Sequence, residues 1–167
     1  MNQRNTAIRL SLMIVMTALT AVGTLLIRIP NPMGGYFNMG DVMIFVSALT
    51  FGPIIGGFAG GLGSAIADMI GFPLFAIPTL IIKGLEGLIA GFLTNKKHIY
   101  RDILAVITAG FEMVAGYFIV EYLILQWGLV PALSEIPANI AQIAVGGIIG
   151  IPIAYLLRRR LPENLTT

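Results

Sequence analysis

The feature that most constrains this chain is a stripe of small residues leading to an aspartate. Five residues recur at every fourth position: Gly52, Gly56, Gly60, Ser64 and Asp68. On a helix this spacing forms one smooth face, and in lipid small residues let helix backbones approach closely. The stretch from 38 to 71 contains no Lys, Arg or Glu. The pattern predicts a membrane helix packed closely among others, ending in a carboxylate that must be hydrated or paired. The glycines themselves need no role beyond packing.

Composition indicates a membrane protein. Hydrophobic residues make up 57% of the chain and charged residues 11%, and the mean hydropathy is +0.91, whereas a soluble domain is about 25% charged. The length of 167 residues suits a single transmembrane domain over residues 1–167. The chain contains no cysteine, which excludes a disulfide framework and a thiolate metal site.

The apolar runs predict an all-α bundle of six membrane spans. Their expected bounds are about 7–27, 36–51, 53–71, 78–93, 103–127 and 137–157. The second span is ambiguous, because its apolar run from Asp41 to Phe51 is shorter than the roughly 20 residues that a spanning helix needs. Either this helix begins near Tyr36, or it is short and buried within the protein.

The basic residues predict the orientation in the membrane. Six spans place both termini on one side, and the basic residues that fall on that side are Arg4, Arg9, Lys96, Lys97, Arg101, Arg158, Arg159 and Arg160. Only Arg28 falls in a loop on the other side. Because cytoplasmic loops carry the excess of Lys and Arg, both termini are expected to face the cytoplasm. The Arg158–Arg160 run therefore requires no nucleic acid partner.

The first loop, residues 28–40, is a candidate lid. Pro30 and Pro32 prevent a helix there, and Gly34 and Gly35 allow a hinge. Residues 36–38 would supply the contacts of such a lid. A plain connecting loop is equally compatible with the sequence.

Ionisable residues inside the spans are candidates for function, because charges are costly in a bilayer. They are Asp41, Asp68, Lys83, Glu86, Glu112 and Glu121. Several of them fall in the outer halves of their spans, at the level of the first loop, Asn139, Gln142 and Trp127. Placed polar groups among aromatic walls are typical of a small-molecule site. Lys83 can instead pair with Glu86 or an aspartate, and Asn139 and Gln142 can instead join helices by hydrogen bonds.

Motifs for enzymatic chemistry are missing. The sequence has no P-loop and no Gly-x-Ser-x-Gly elbow, and its one histidine, His98, lies in the cytoplasmic link, which disfavours a histidine metal site. Two intramembrane aspartates are also a feature of intramembrane aspartyl proteases. However, Met39-Gly40-Asp41 lacks the first glycine of that family's Gly-x-Gly-Asp motif. We expect no catalysis, no metal and no cofactor.

Several motifs together identify a family. They are Asn38-Met39-Gly40-Asp41, Phe51-Gly52-Pro53 leading into Gly60 to Asp68, Lys83-Gly84-Leu85-Glu86-Gly87, and Pro137 and Asn139 with Gln142. With them the chain resembles, over nearly its whole length, the substrate-binding S components of energy-coupling-factor (ECF) vitamin transporters. It is most similar to the group that includes riboflavin, pyridoxine and hydroxymethylpyrimidine S components. The resemblance implies a multi-pass protein of a prokaryotic cell membrane that captures a vitamin from outside.

The resemblance also implies partners and a site. The partners would be a membrane coupling (T) subunit, docked on the first span, and two cytoplasmic ATPases. The family's docking face is written Ala-x-x-x-Ala, and here only Thr17 and Ala21 offer that spacing. The residues expected to bind the vitamin are Tyr36, Asn38, Asp41, Lys83, Tyr117, Glu121, Trp127, Asn139 and Gln142. The alternatives are a stand-alone secondary carrier or channel that uses the buried carboxylates, and a structural membrane protein without a ligand.

Overall fold

Most of the described chain is helical. The computed structural model describes residues 3–30, 36–95 and 97–166, and these contain six helices of more than ten residues. They are α1 Gln3–Leu26, α2 Gly40–Phe51, α3 Pro53–Gly71, α4 Ala76–Leu93, α5 Ile99–Ile119 and α6 Leu129–Arg160. A π turn, Val120–Ile124, extends α5, and short 3-10 turns lie at Pro73–Phe75 and Glu163–Leu165.

Five helical segments of the described chain are long and apolar enough to cross a membrane: Thr6–Leu26, Pro53–Gly71, Pro73–Leu93, Ile99–Ile124 and Leu129–Arg160. The helix α2 is shorter. Its 12 residues extend about 18 Å at 1.5 Å per residue, against a hydrocarbon core of roughly 30 Å. Ten of the 12 are buried, so the structure has the short, protein-buried form of this helix.

The start of α2 differs from the predicted bound at residue 36. Tyr36–Asn38 form a strand, β2, which pairs antiparallel with β1, Arg28–Pro30. A residue committed to strand pairing cannot also be helical, and the helix therefore begins at Gly40. The predicted hinge at Gly34 and Gly35, together with Pro32, lies outside the described residues, as does Lys96.

The last helix is longer than predicted. It begins at Leu129 instead of near residue 137, directly after Gly128, whose φ of 95° provides the turn. Pro131 lies in the first turn of α6, where the backbone N–H groups have no helical partner and a proline is tolerated. The predicted loop 128–136 is therefore mostly helix, and α6 continues through Pro137.

The small-residue stripe is the contact between α3 and α4. A Cβ atom added to Gly60 would lie 2.2 Å from the backbone oxygen of Lys83, and one added to Gly87 would lie 2.1 Å from that of Gly56. The two backbones thus touch directly. The other side of α3 packs on α1, where a Cβ at Gly63 would lie 2.7 Å from the Thr17 oxygen. The predicted close packing of this helix is confirmed.

A polar cluster joins three helices at the end of the bundle away from the hairpin. The Arg158 guanidinium, on α6, donates to the Asp102 carboxylate at 2.8 Å and to the Thr94 hydroxyl at 3.3 Å. Thr94 in turn donates to Asp102 at 2.5 Å. Asp102 is fully buried, and the cluster holds the ends of α4, α5 and α6 together.

Candidate binding site beneath the hairpin

A cavity lies beneath the β1–β2 hairpin, at the end of the bundle opposite the Arg158 cluster. About 490 Å³ is free of atoms when the space at its open mouth is counted, whereas the centres of water-sized molecules can occupy only about 40 Å³ of it. All the main helices except α2 supply residues to it, as do the hairpin and the π turn. Its lining residues are Thr24, Tyr36, Asn38, Ser64, Asp68, Phe72, Phe75, Thr79, Lys83, Tyr117, Glu121, Glu135, Asn139 and Gln142.

One wall of the cavity is aromatic. The ring centroids of Phe72 and Phe75 are 5.4 Å apart, and those of Phe75 and Tyr117 are 6.1 Å apart. The Tyr117 hydroxyl is 2.9 Å from the Thr79 hydroxyl, which orients the ring. Trp127 packs edge-on against the outer side of this wall, 5.4 Å from Phe75, and does not line the cavity. The wall offers a flat ligand a stacking surface.

The hairpin is tied to α3 on the side of the cavity nearest α1. The Tyr36 hydroxyl donates a hydrogen bond to the Asp68 carboxylate, and the Arg28 guanidinium lies 4.9 Å from the Tyr36 ring centroid. Arg28 also donates to the Ala67 backbone oxygen at 2.8 Å. Burial, followed by the neighbouring Asp68 carboxylate, raises the pKa of the Tyr36 phenol. The hydroxyl therefore stays protonated and serves as a donor.

Lys83 lies at the base of the cavity between two carboxylates. Its ammonium is 2.5 Å from Asp41 and 2.9 Å from Glu86, and all three side chains are buried. Of the described residues that line the cavity, only Lys83 is cationic, whereas Asp68, Glu121 and Glu135 are acidic. The cavity is therefore suited to a neutral or cationic ligand that donates hydrogen bonds, and not to a phosphate.

Glu121 projects from the π turn. The Leu125 backbone N–H donates to the Val120 oxygen at 2.8 Å, the i→i+5 bond that defines such a turn, and π turns are frequent at functional sites. Glu121 Oε2 is buried and has no hydrogen-bond partner among the described residues. A buried carboxylate oxygen without a partner is costly, and a ligand that donates to it would remove that cost.

A chain of amides closes the opposite side. The Asn38 backbone N–H donates to Gln142 Oε1 at 3.1 Å, and Gln142 Nε2 donates to Asn139 Oδ1 at 3.0 Å. The Asn38 side chain accepts from the Gly40 backbone N–H at 2.8 Å. The hairpin and α6 are thereby linked through side chains that face the cavity.

The structure places the predicted site residues in two layers. Seven of the nine line the cavity, namely Tyr36, Asn38, Lys83, Tyr117, Glu121, Asn139 and Gln142. Asp41 and Trp127 lie one layer out, since Asp41 contacts Lys83 and Trp127 contacts Phe75. Binding of a ligand by these residues stays a prediction.

Sequence reasoning did not assign seven lining residues: Thr24, Ser64, Asp68, Phe72, Phe75, Thr79 and Glu135. For Glu135 a signal was present, because it precedes Asn139 by four residues and Gln142 by seven, the spacing of one helix face. The predicted loop over 128–136 concealed it. Phe72 and Phe75 fall in the turn predicted between the third and fourth spans. The sequence of a turn does not indicate the direction in which its aromatic rings point.

Of the two predicted docking residues, Thr17 is half-buried and Ala21 is buried. Ala21 is only 8% exposed, and the Thr17 backbone packs against Gly63 of α3. Their four-residue spacing is used for packing within the chain. The outward face of α1 instead carries Ile14, which is 62% exposed, together with Ala18 and Val22. Docking through Thr17 and Ala21 stays a prediction, and the burial of Ala21 is an observation against its part in it.

Known proteins similar to this chain cover almost all of it. Residues 4–159 match the family model described as "ECF-type riboflavin transporter, S component". The chain is 35% identical over 154 residues to the "Thiamine precursor transporter HmpT" of Lactococcus lactis subsp. cremoris (strain MG1363), across 90% of this chain and 88% of the relative. It is 45% identical over 142 residues to an "Uncharacterized protein in gap 3'region" of Pyrococcus woesei, across 84% and 95%.

A solved structure shares the fold. It is described as "Structure and mechanism of the S component of a bacterial ECF transporter", and it superposes with a TM-score of 0.65 over 93% of this chain and 95% of the other. The sequence identity is 21%, so this likeness concerns the arrangement of the helices.

Proposed function

Since this chain belongs to the family of ECF-type riboflavin transporter S components, a family of transporter subunits and not of enzymes, we propose that it captures a small water-soluble vitamin or vitamin precursor for an ATP-driven importer. The observation that carries the proposal is the cavity beneath the hairpin. It combines an aromatic wall with the unpaired Glu121 oxygen and the amides of Asn139 and Gln142. This is the composition of a small-molecule site.

The proposed arrangement has six spans with both termini in the cytoplasm of a prokaryote. The position of the basic residues supports this orientation. The basic residues Lys97, Arg101 and Arg158–Arg160 lie at the end of the bundle away from the cavity, and an excess of basic residues marks the cytoplasmic side. The cavity then opens outward, where a nutrient is captured.

Among the candidate substrates we place the thiamine precursor hydroxymethylpyrimidine first, ahead of pyridoxine and riboflavin. A relative that is 35% identical over 90% of this chain carries the name thiamine precursor transporter. The site chemistry agrees, because an aminopyrimidine stacks on aromatic rings, donates through its amino group to a carboxylate, and accepts through its ring nitrogens. A phosphorylated vitamin would meet the acidic residues described above.

The proposed partners are a membrane coupling subunit and two cytoplasmic ATPases. A P-loop is absent from the sequence, so hydrolysis of ATP is assigned to the partners. The docking face that we propose is the outward side of α1 at Ile14, Ala18 and Val22, all exposed. Apolar side chains with a small residue between them allow close helix contact in lipid.

Tryptophan fluorescence tests the proposal. Trp127 is the single tryptophan and contacts Phe75, which lines the cavity. Purified protein is titrated with hydroxymethylpyrimidine, pyridoxine, riboflavin and thiamine, and calorimetry repeats the titration without an optical signal. Saturable binding of one compound supports capture of that vitamin. Binding of none of them would contradict the proposed substrates.

A second experiment separates a binding subunit from a stand-alone carrier. The buried carboxylates Asp41 and Glu86 favour this alternative, since intramembrane carboxylates can relay protons. The protein is placed in liposomes without any partner, and uptake of the bound vitamin is measured. A binding subunit should bind without accumulating it, whereas accumulation in the lumen would favour a carrier.

A further inference from the structure

The Gln142 amide has only one orientation that fits its neighbours. The Asn38 backbone N–H lies 3.1 Å from it, and a backbone N–H can only donate. The atom of Gln142 that faces the hairpin must therefore be the carbonyl oxygen. The NH₂ group of Gln142 consequently points the other way, toward Asn139.

The same reasoning fixes Asn139. Its side chain lies 3.0 Å from Gln142 Nε2, and an amide NH₂ group can only donate. The atom of Asn139 that faces Gln142 is therefore its oxygen. Asn139 lines the cavity, and its NH₂ group has no partner among the described residues, so this group is available to a ligand as a donor.

We propose, on the basis of the proposed function, that the hairpin backbone sets the hydrogen-bond polarity of the site through this relay from Asn38 by way of Gln142 to Asn139. Asn139 is then a specificity-determining donor, and the site selects a ligand that presents an acceptor, such as a ring nitrogen or carbonyl, to it. Glu121 supplies the complementary acceptor through its unpaired Oε2. The class of ligand is a nitrogen heterocycle that carries both an acceptor and a donor.

The relay has a consequence for the hairpin. Its first donor belongs to β2, whereas both amide side chains belong to α6. If the hairpin moves away, nothing in the relay prevents Gln142 and Asn139 from turning over. The site has its defined polarity only while the hairpin is closed over it.

The test compares ligands that differ by one atom. Hydroxymethylpyrimidine and its two monodeaza analogues, each with one ring nitrogen replaced by C–H, are titrated against the wild type, Asn139→Asp and Asn139→Ala. The wild type should bind one analogue about 10- to 100-fold more weakly than the parent, the usual effect of leaving one buried polar group unpaired. Both variants should lose this discrimination. Discrimination that survives in both variants would overturn the proposal.

Gln142→Met separates the relay from direct contact with the ligand. Methionine nearly preserves the volume but neither accepts from Asn38 nor donates to Asn139, so discrimination between the analogues should fall although Asn139 is unchanged. Unaltered discrimination would show that the hairpin does not set the polarity.

If the wild type binds none of these compounds, only the proposed substrate is contradicted. The relay can then still be tested by a measurement without ligand. Amide hydrogen exchange at Asn38 is followed by NMR in the ligand-free wild type and in Gln142→Met. The structure gives this N–H a side-chain acceptor, Gln142, so its exchange should accelerate about tenfold or more when that bond is lost. Exchange that does not change would overturn the relay. Ser64→Ala, in the same cavity but outside the amide chain, is the control.

Discussion

The Lys83 ammonium lies 2.5 Å from the Asp41 carboxylate, and both side chains are almost completely buried, with 3% and 1% of their surfaces exposed. Glu86 is on the other side of the same ammonium, at 2.9 Å. One cation thus holds two carboxylates together in the apolar interior. Its removal would leave both without a counter-ion.

Lys83→Met should therefore destabilise the protein strongly. Breaking a buried ion pair from one side costs roughly 3–5 kcal/mol, measured here as the free energy of unfolding in detergent without ligand. Lys97→Met, at an exposed position, is the control and should change little. Adding Asp41→Asn to Lys83→Met should recover part of the loss. A double variant less stable than Lys83→Met would contradict this account.

The contact between α3 and α4 makes a matched pair of substitutions possible. Gly60→Ala places a methyl group 2.2 Å from the Lys83 backbone oxygen, whereas at Gly84 the nearest atom is 3.6 Å away. Gly60→Ala should cost roughly 1–3 kcal/mol, the usual effect of overpacking. Gly84→Ala should be neutral or stabilising, because alanine favours a helix by about 1 kcal/mol over glycine. Thermal unfolding of the two variants measures the contrast, and equal shifts would refute the close contact.

Tyr36→Phe tests the tie between the hairpin and α3. The variant keeps the ring beneath Arg28 but removes the hydroxyl that donates to Asp68. A hydrogen bond to a charged group contributes about 1.5–3 kcal/mol, so dissociation of the bound vitamin should accelerate by roughly 10- to 100-fold. Stopped-flow release measures it. Tyr155→Phe, far from the cavity, should release at the wild-type rate, and an unchanged rate in Tyr36→Phe would exclude the tie.

Arg158→Ala tests the cluster at the opposite end. It leaves the buried Asp102 carboxylate without its cation and should lower the free energy of unfolding by roughly 3–5 kcal/mol. Affinity for the vitamin, measured below the unfolding temperature, should not change. The neighbour Arg159 is exposed and donates to the Tyr155 hydroxyl at 3.5 Å, so Arg159→Ala should have the stability of the wild type. Similar losses in both variants would argue against the cluster.

Ala18→Leu and Ala21→Leu should behave differently. Ala18 is exposed on α1, whereas Ala21 is buried against the rest of the chain. Ala18→Leu should reduce co-purification with the coupling subunit and leave vitamin binding intact. Ala21→Leu should lower the melting temperature of the isolated subunit by overpacking, at about 1–3 kcal/mol. Full co-purification of Ala18→Leu would rule out this face of α1.

Helices and their close contacts could be predicted from the sequence, because apolar length and small-residue spacing are local properties. The ends of α2 and α6 could not. Strand pairing of Tyr36–Asn38 with a segment on the other side of the loop is a tertiary event, and Pro131 is a helix breaker or a first-turn residue depending on where the helix starts.

The residues of the cavity that could be predicted are those whose charge is costly to bury in a membrane. Buried Lys83 and Glu121 attract attention because charges are expensive there, and both line the cavity. Asp41 has the same cost, and the sequence predicts that Lys83 can pair with an aspartate, but only the structure shows that this aspartate is Asp41. The direction of the Phe72 and Phe75 rings depends on the turn between α3 and α4, which has no periodic pattern to read.

Because α3 and α4 are in backbone contact at Gly60 and Gly87, the two sides of the cavity should differ in how readily their residues can be substituted during evolution. The half of the cavity on α3 and α4 is carried by two helices whose glycines leave no space for a larger side chain. The relative position of these two helices is therefore fixed. The other half, on the π turn and the first turns of α6, contains no glycine. A descendant of this protein that acquires a new nutrient should therefore change residues near Glu121, Glu135 and Asn139 first, and keep the glycines.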